Sequence, residues 1–284
     1  MPQLQLKATF LLPDASADWA GQALCAFFPD GLLSQARKNS LTLLHGWPRL
    51  QSPRHLEELK AAIFSIGGSA LRIKSERKRD WVHEYKSRFP VQSLGRFIIL
   101  PYWRRKAKVP AGKLPIILLP GQAFGTGLHD STRLMLHAIE TTASETVLDI
   151  GAGSGILGLA CLRQGSKKVL SIEIEKAACE EMKGNARLNG FGPASFAVRA
   201  GTFPALLKGK KMAAGLVLAN IVTPVLCHLM KAIAAQAAKG ATVLLSGIHT
   251  ESEARQVAKA VRAAGLKITG RESRGDWWCL RARK

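Results

Sequence analysis

An acid, three alternating glycines and a second acid form the constellation in this chain best suited to chemistry. The first acid is Asp149, at the end of the apolar run Thr146-Val147-Leu148. The glycines are Gly151, Gly153 and Gly155, and Glu173 follows Gly153 by twenty residues. Glycine lets a backbone approach a ligand closely, and a helical pattern starting at Ile156 would aim unpaired N–H groups at the same place. Glu173 ends the next apolar run, where a carboxylate can accept the two hydroxyls of a ribose. The spacing predicts a nucleoside cofactor across the carboxyl ends of a parallel sheet. Two cofactors satisfy it. Gly153-Ser154-Gly155-Ile156-Leu157-Gly158 fits the dinucleotide pattern G-x-G-x-x-G, with its acid at the expected distance. S-adenosylmethionine fits as well, and is favoured by the acid shortly before the first glycine and by more glycine than a pyrophosphate loop needs. An ordinary glycine-rich connection would use the same residues with no ligand.

Such a site needs a sheet to hold it. From Thr146 onward, apolar runs near 146–150, 168–173, 195–199, 215–220 and 241–247 alternate with helical patterns, which predicts a doubly wound parallel sheet. Two further strands, Leu266–Arg271 and Trp277–Arg281, are separated only by Glu272–Asp276 and must pair antiparallel, since a parallel crossover needs about a dozen residues. Five parallel strands closed by such a hairpin make seven, the methyltransferase arrangement, and disfavour the dinucleotide. The first part of the chain reads βαββαβ. A strand at 3–12 leads into a helix capped by Ser16 and striped by Trp19, Ala23, Leu24, Phe27 and Phe28. Strands follow at 32–35 and 41–44, then a helix at Arg54–Ile66 and a strand at 70–73. That order predicts a small ferredoxin-like α+β domain. The expected division is 1–76 for substrate recognition, 77–118 as a basic linker with a short helix near Trp81–Phe89 and a strand at Arg96–Leu100, and 119–284 for catalysis.

The 284 residues carry 41 Lys or Arg against 20 Asp or Glu, a formal charge of +21, which attracts polyanions at low salt. Residues 72–108 hold twelve basic against three acidic residues, either a solvated linker or a surface that touches ribosomal RNA. With 47% hydrophobic and 21% charged residues the composition is globular. No apolar run approaches the ~18 residues of a membrane span, and the N-terminus lacks the pattern of a signal peptide. Five scattered cysteines without a C-x-x-C pair predict neither a metal site nor a disulfide framework, and a reducing cytoplasm is expected.

Two further stretches carry a resemblance. Pro120-Gly121-Gln122-Ala123-Phe124-Gly125-Thr126-Gly127-Leu128-His129-Asp130-Ser131-Thr132 precedes the glycine turn, and Leu218-Ala219-Asn220-Ile221 ends the fourth strand. Together with Trp81–Lys86, Leu245-Ser246-Gly247-Ile248 and Trp278-Cys279, they make the chain resemble the PrmA family, which methylates ribosomal protein L11. The resemblance covers roughly residues 80–284. It implies donor-binding positions at Thr132, Gly151, Glu173 and Asn220, and a loop, Phe124–His129, lying over the donor with Phe124, Gly125 and Thr126. Asp149 and Gly153 complete the expected cofactor set. From the residues themselves, Asp130 or Ser131 would cap a helix from Thr132 to Thr142, and Gly125 and Gly127 would give the loop hinge-like freedom. The chain departs from the family in reading Gly-Leu-His-Asp-Ser-Thr for Gly-Thr-His-Pro-Thr-Thr, in placing Glu173 for the commoner Asp, and in offering no acid after the third sheet strand for an adenine amino group.

Methyl transfer to nitrogen requires a neutral amine aligned behind an activated methyl group. Near pH 7.4 a lysine is only about 0.1% neutral, whereas an α-amine is about a quarter neutral. Asn220 is the candidate for orienting the amine, and His129 is a candidate proton acceptor. Trp277 and Trp278 are expected to place one ring in the core and one outside, without a catalytic role. An RNA methyltransferase is the alternative suggested by charge, but Asn220 continues Ile221-Val222-Thr223-Pro224 rather than with an aromatic ring to stack a flipped base. A non-catalytic RNA-binding or ribosome-assembly factor on the same fold is the third reading.

Overall fold

The computed structural model describes residues 4–17, 20–28, 32–50, 52–77, 89–119, 121, 123–207 and 209–284. It comprises two compact units, Met1–Glu84 and Tyr85–Lys284.

The first unit contains β1 (Leu4–Pro13), α1 (Asp14–Ala17), α2 (Ala20–Ala23), β2 (Leu33–Lys38), β3 (Leu41–Gly46), α3 (Pro53–Ser65) and β4 (Ser69–Arg77). Its four-stranded antiparallel sheet has the order β2-β3-β1-β4. Alternation along β1 sends Ala8, Phe10 and Leu12 into a core with Leu24, Phe28, Leu44, Leu59 and Ile63. Ser52 caps α3 by accepting the His55 N–H, with Pro53 at the first helical position. The helix expected from Ser16 falls on α1 and α2, and Asp18, between them, lies outside the described residues. Helix α1 starts early because Asp14 is tied to the β2–β3 turn, through its N–H to the Ser40 carbonyl and by accepting from Thr42 Oγ1. Trp19 lies outside the described residues, as does the helix expected near Trp81–Phe89 apart from Phe89.

The second unit opens with a three-stranded sheet of β5 (Gln92–Leu94), β6 (Phe97–Pro101) and β7 (Leu114–Leu118), in that order, with β6 and β7 parallel. Sequence reading missed β7. Pro115 looks like a break, but β7 is an edge strand, where a missing N–H is tolerated. There follow α4 (Asp130–Glu140), β8 (Thr146–Ile150), α5 (Ile156–Arg163), β9 (Lys168–Glu173), α6 (Lys176–Leu188), β10 (Phe196–Ala200), β11 (Ala214–Asn220), α7 (Thr223–Gln236), β12 (Ala237–Ile248), α8 (Glu251–Ala263), β13 (Lys267–Arg274) and β14 (Trp277–Arg283). The large sheet is mostly parallel, with the order β10-β9-β8-β11-β12-β14-β13, and only the β14 pairings are antiparallel. Apolar cores cover both faces, with Val147, Leu157 and Leu216 on one side and Leu148, Val217 and Val257 on the other. Strand order reverses between β8 and β11, which opens a crevice at their carboxyl ends. Among the described residues no helix is long and apolar enough to cross a membrane.

Candidate active site

β8 runs into the glycine turn, and the turn is built by the protein before any ligand is considered. Gly151, Gly153 and Gly155 have φ of +67°, +53° and +81°. A Cβ at these positions would overlap Ile221, the Phe124 carbonyl and Met182, respectively. The turn's N–H groups are also committed. Gly151 donates to Ile172 O (2.9 Å), Ser154 to Phe124 O (2.9 Å), Gly155 to Ala152 O (2.9 Å) and Gly153 to Glu173 Oε2 (2.9 Å). At the start of α5, where unpaired N–H groups were expected, the Ile156 N–H donates to Ser154 Oγ (3.4 Å). Glycine is needed here for left-handed backbone and for close packing of the turn against its neighbours.

Glu173, at the end of β9, takes the Ile174 and Glu175 N–H groups on Oε1 at 2.7 and 3.2 Å in addition to Gly153. These bonds fix the carboxylate at the cavity wall and leave acceptor capacity for hydroxyls. Asp149 behaves otherwise. It is 1% exposed, lies behind the turn rather than on the wall, and neither carboxylate oxygen has a hydrogen-bond partner. Burial pushes its pKa up to about 7, opposed by the nearby Gly158 amide, which falls short of hydrogen-bond geometry, and reinforced by the charge of Glu173.

A raised carboxylate pKa means that the native state holds the proton more tightly than the unfolded chain. The resulting stability is complete below the ordinary value of 3.8 and is lost as pH rises through about 7. Asp149→Asn abolishes this titration. Relative to the wild type, the variant should gain about 2 kcal/mol of stability between pH 5 and pH 8 by linkage. Thermal unfolding across that range is the check, and a constant difference would contradict the assignment.

The segment before α4 folds back over the turn. Gly125 O accepts from Ser154 Oγ (2.6 Å), Thr126 O from Gln92 Nε2 (3.2 Å) and Gly127 O from Arg133 Nε (3.1 Å). The hinge-like freedom expected of Gly125 and Gly127 is thus taken up by anchors on both sides. His129, rather than Asp130 or Ser131, is the N-cap of α4. Its Nδ1 accepts the Ser131 N–H (3.3 Å) and lies 2.7 Å from Ser131 Oγ. This leaves the ring proton on Nε2, so the geometry gives His129 a capping role and argues against proton acceptance. The His129 ring centroid is 5.1 Å from that of Phe124 and 4.4 Å from that of Trp277, and Trp277 is 4.9 Å from His249.

Asn220 ends β11 at the crevice. Its Nδ2, assigned toward α4, donates to Thr132 Oγ1 at 3.5 Å, while Oδ1 is buried with no partner. The position of the next residues is fixed by Gly247 (φ +82°), where any Cβ would overlap the Ile221 backbone. Thr223 Oγ1 and the His249 N–H converge on Glu253 Oε2 at 2.7 and 2.9 Å, joining the segment after Asn220 to the one after β12.

A cavity of about 780 Å³ occupies this crevice, within the range that encloses a small cofactor. It brings together Phe124, His129, Gly151, Gly153, Glu173 and Asn220. Gly125, Thr126, Thr132 and Asp149 stand behind its wall. Sequence reading missed Ser131, Ile174, Thr202, Phe203 and Val222, which also line it. Trp277 lines it too; Trp277 and Trp278 are both half-buried, each packed against one of the two cores, which corrects the expectation of one ring in the core and one outside. The signal was available in β14, where alternation must put Trp277 and Trp278 on opposite faces of the sheet. Among the described residues no cluster of metal-ligating side chains occurs.

Comparison with known proteins agrees with this architecture. The family model described as ribosomal protein L11 methyltransferase (PrmA) matches residues 39–284. The ribosomal protein L11 methyltransferase of Geobacter sulfurreducens is 37% identical over 233 residues, 81% of this chain and 75% of that protein. That of Pelotomaculum thermopropionicum is 34% identical over 236 residues, with the same coverage of each. The crystal structure of ribosomal protein L11 methylase from Lactobacillus delbrueckii subsp. bulgaricus superposes with a TM-score of 0.60 at 29% identity, covering 68% of this chain and 98% of that one. The family match spans the sheet, the glycine turn and the strand that carries Asn220; the chain is an enzyme of the ribosomal protein L11 methyltransferase family.

Proposed function

We propose that the protein transfers methyl groups from S-adenosylmethionine to amino groups of ribosomal protein L11, whether α-amino, lysine ε-amino or both. The observation that carries this reading is Asn220 Oδ1, a buried acceptor without a partner, on a residue that lines the cavity. Leaving such an oxygen unpaired costs about 1–3 kcal/mol, and an amine N–H repays it.

The residues present fit the donor. Glu173 would take the ribose hydroxyls. The positive end of the α4 dipole, where Ser131 lines the cavity, would suit the methionine carboxylate, and Thr202 and Phe203, on the same wall, would pack against the adenine. S-adenosylmethionine would supply a methyl group already activated by its sulfonium. The chain's own task is then to position the acceptor. Thr132 holds Asn220 Nδ2, which leaves Oδ1 available to take an amine N–H and so aim the lone pair of a neutral amine. Phe124, His129 and Trp277 line the same cavity. With His129 Nδ1 occupied as a helix cap, the amine enters already neutral, which favours an α-amine over an unassisted lysine.

The N-terminal unit, with its βαββαβ order, is read as a ferredoxin-like domain (1–76) that recognises the protein substrate. The basic segment 77–118 and the +21 charge support contact with ribosomal RNA, in the cytoplasm where ribosomes are assembled. Titration calorimetry tests the donor assignment. S-adenosylmethionine should bind with one-to-one stoichiometry and NAD should give no heat; the reverse pattern would overturn it.

A further inference from the structure

Three side chains on one stripe of α6, at intervals of four residues, hold alternate backbone positions of the segment leading to the donor loop. Asn189, just past the end of the helix, accepts the Ile117 N–H on Oδ1 (2.9 Å) and donates Nδ2 to the Ile117 carbonyl (2.6 Å). Asn185 accepts the Leu119 N–H (2.9 Å). Glu181 accepts the N–H groups of Gly121 (3.2 Å) and Ala123 (3.3 Å). The periods match: two residues of extended chain advance about 6.6 Å and four residues of helix about 6.0 Å. The helix therefore replaces the neighbouring strand that the edge of β7 lacks, and carries the pairing beyond the strand's end. One step further along the stripe is Ala177, which has nothing to offer. There the backbone transfers to the glycine turn, with Phe124 O and Gly125 O accepting from Ser154.

The rungs are unequal. Asn185 and Asn189 are 0% and 5% exposed. Asn185 also donates to Ser154 O (3.0 Å), which joins the ladder to the turn. Glu181 is only half-buried and its two bonds are the longest of the set. It nevertheless sits so close that a Cβ on Gly121 would overlap its carboxylate. We infer that Asn189, Asn185 and Glu181 form a ladder fixing the register of the loop over the cavity, with Glu181 as its weakest rung. This makes Glu181 a positioning residue for the methyl donor and rests on the donor reading above.

Hydrogen exchange in the donor-free protein tests the ladder independently of that reading. In Glu181→Ala the Gly121 and Ala123 amides should exchange about tenfold faster, while the Ile117 and Leu119 amides keep their rates. The KM for S-adenosylmethionine should rise about tenfold with kcat on L11 within about twofold, since the acceptor side is untouched. Glu181→Gln keeps an acceptor oxygen and should restore at least half of both effects. Unchanged exchange at Gly121 and Ala123, or equal acceleration of all four amides, would overturn the inference. Should the wild type fail to bind the donor, the donor reading falls, and the exchange rates still decide the ladder.

Discussion

Asn220→Ala is expected to lower turnover on ribosomal protein L11 by about 100-fold, the scale of misplacing a reacting group by about 1 Å. Affinity for S-adenosylmethionine should change by less than about threefold, because the contact removed matters mostly in the transition state. The asymmetry follows from the two ends of the side chain. Nδ2 is spent on Thr132, and only Oδ1 is left without a hydrogen bond. Thr132→Val, which removes the anchor and leaves the amide, should lose part of the same turnover by letting Asn220 rotate. Steady-state kinetics with the donor and the acceptor varied separately distinguish these effects. An Asn220→Ala enzyme with raised donor KM and normal kcat would move the residue to the donor site.

Gly153→Val is expected to abolish donor binding, raising the dissociation constant at least about 100-fold. The cause is a collision within the protein. Its φ is +53°, a conformation that a β-branched residue adopts only under strain, and its Cβ would fall on the Phe124 carbonyl. Accommodating valine breaks the Ser154–Phe124 bond, displaces the loop and detaches the Gly153 amide from Glu173. Donor calorimetry beside thermal unfolding separates a displaced loop from a lost fold. Gly153→Ala, with the same φ penalty and less bulk, should fall between the two. A valine variant that binds the donor normally would show that the turn tolerates a side chain.

The large sheet was legible because its central parallel strands, β8 and β11 above all, are apolar runs buried on both faces, and the closing hairpin because five residues allow no crossover. The glycine turn was legible for its residue types, but its reason was not. Gly151 and Gly153 are demanded by Ile221 and by the Phe124 carbonyl, partners distant in sequence. Asp149 shows the same limit: alternation along β8 sends it behind the wall, where the same residue type raises its own pKa instead of touching a ligand. β7 escaped because its outer edge is paired by Asn185 and Asn189, side chains some seventy positions away, and no local pattern encodes that. The cap at His129 was hidden by the better capping residues beside it.

Intact-mass spectrometry of purified ribosomal protein L11, incubated with this enzyme and S-adenosylmethionine, tests the central claim most directly. The wild type should add whole methyl increments to L11, Asn220→Ala should add almost none in the same time, and peptide mapping should place the increments on amino nitrogens. An L11 of unchanged mass with the wild-type enzyme would contradict the account.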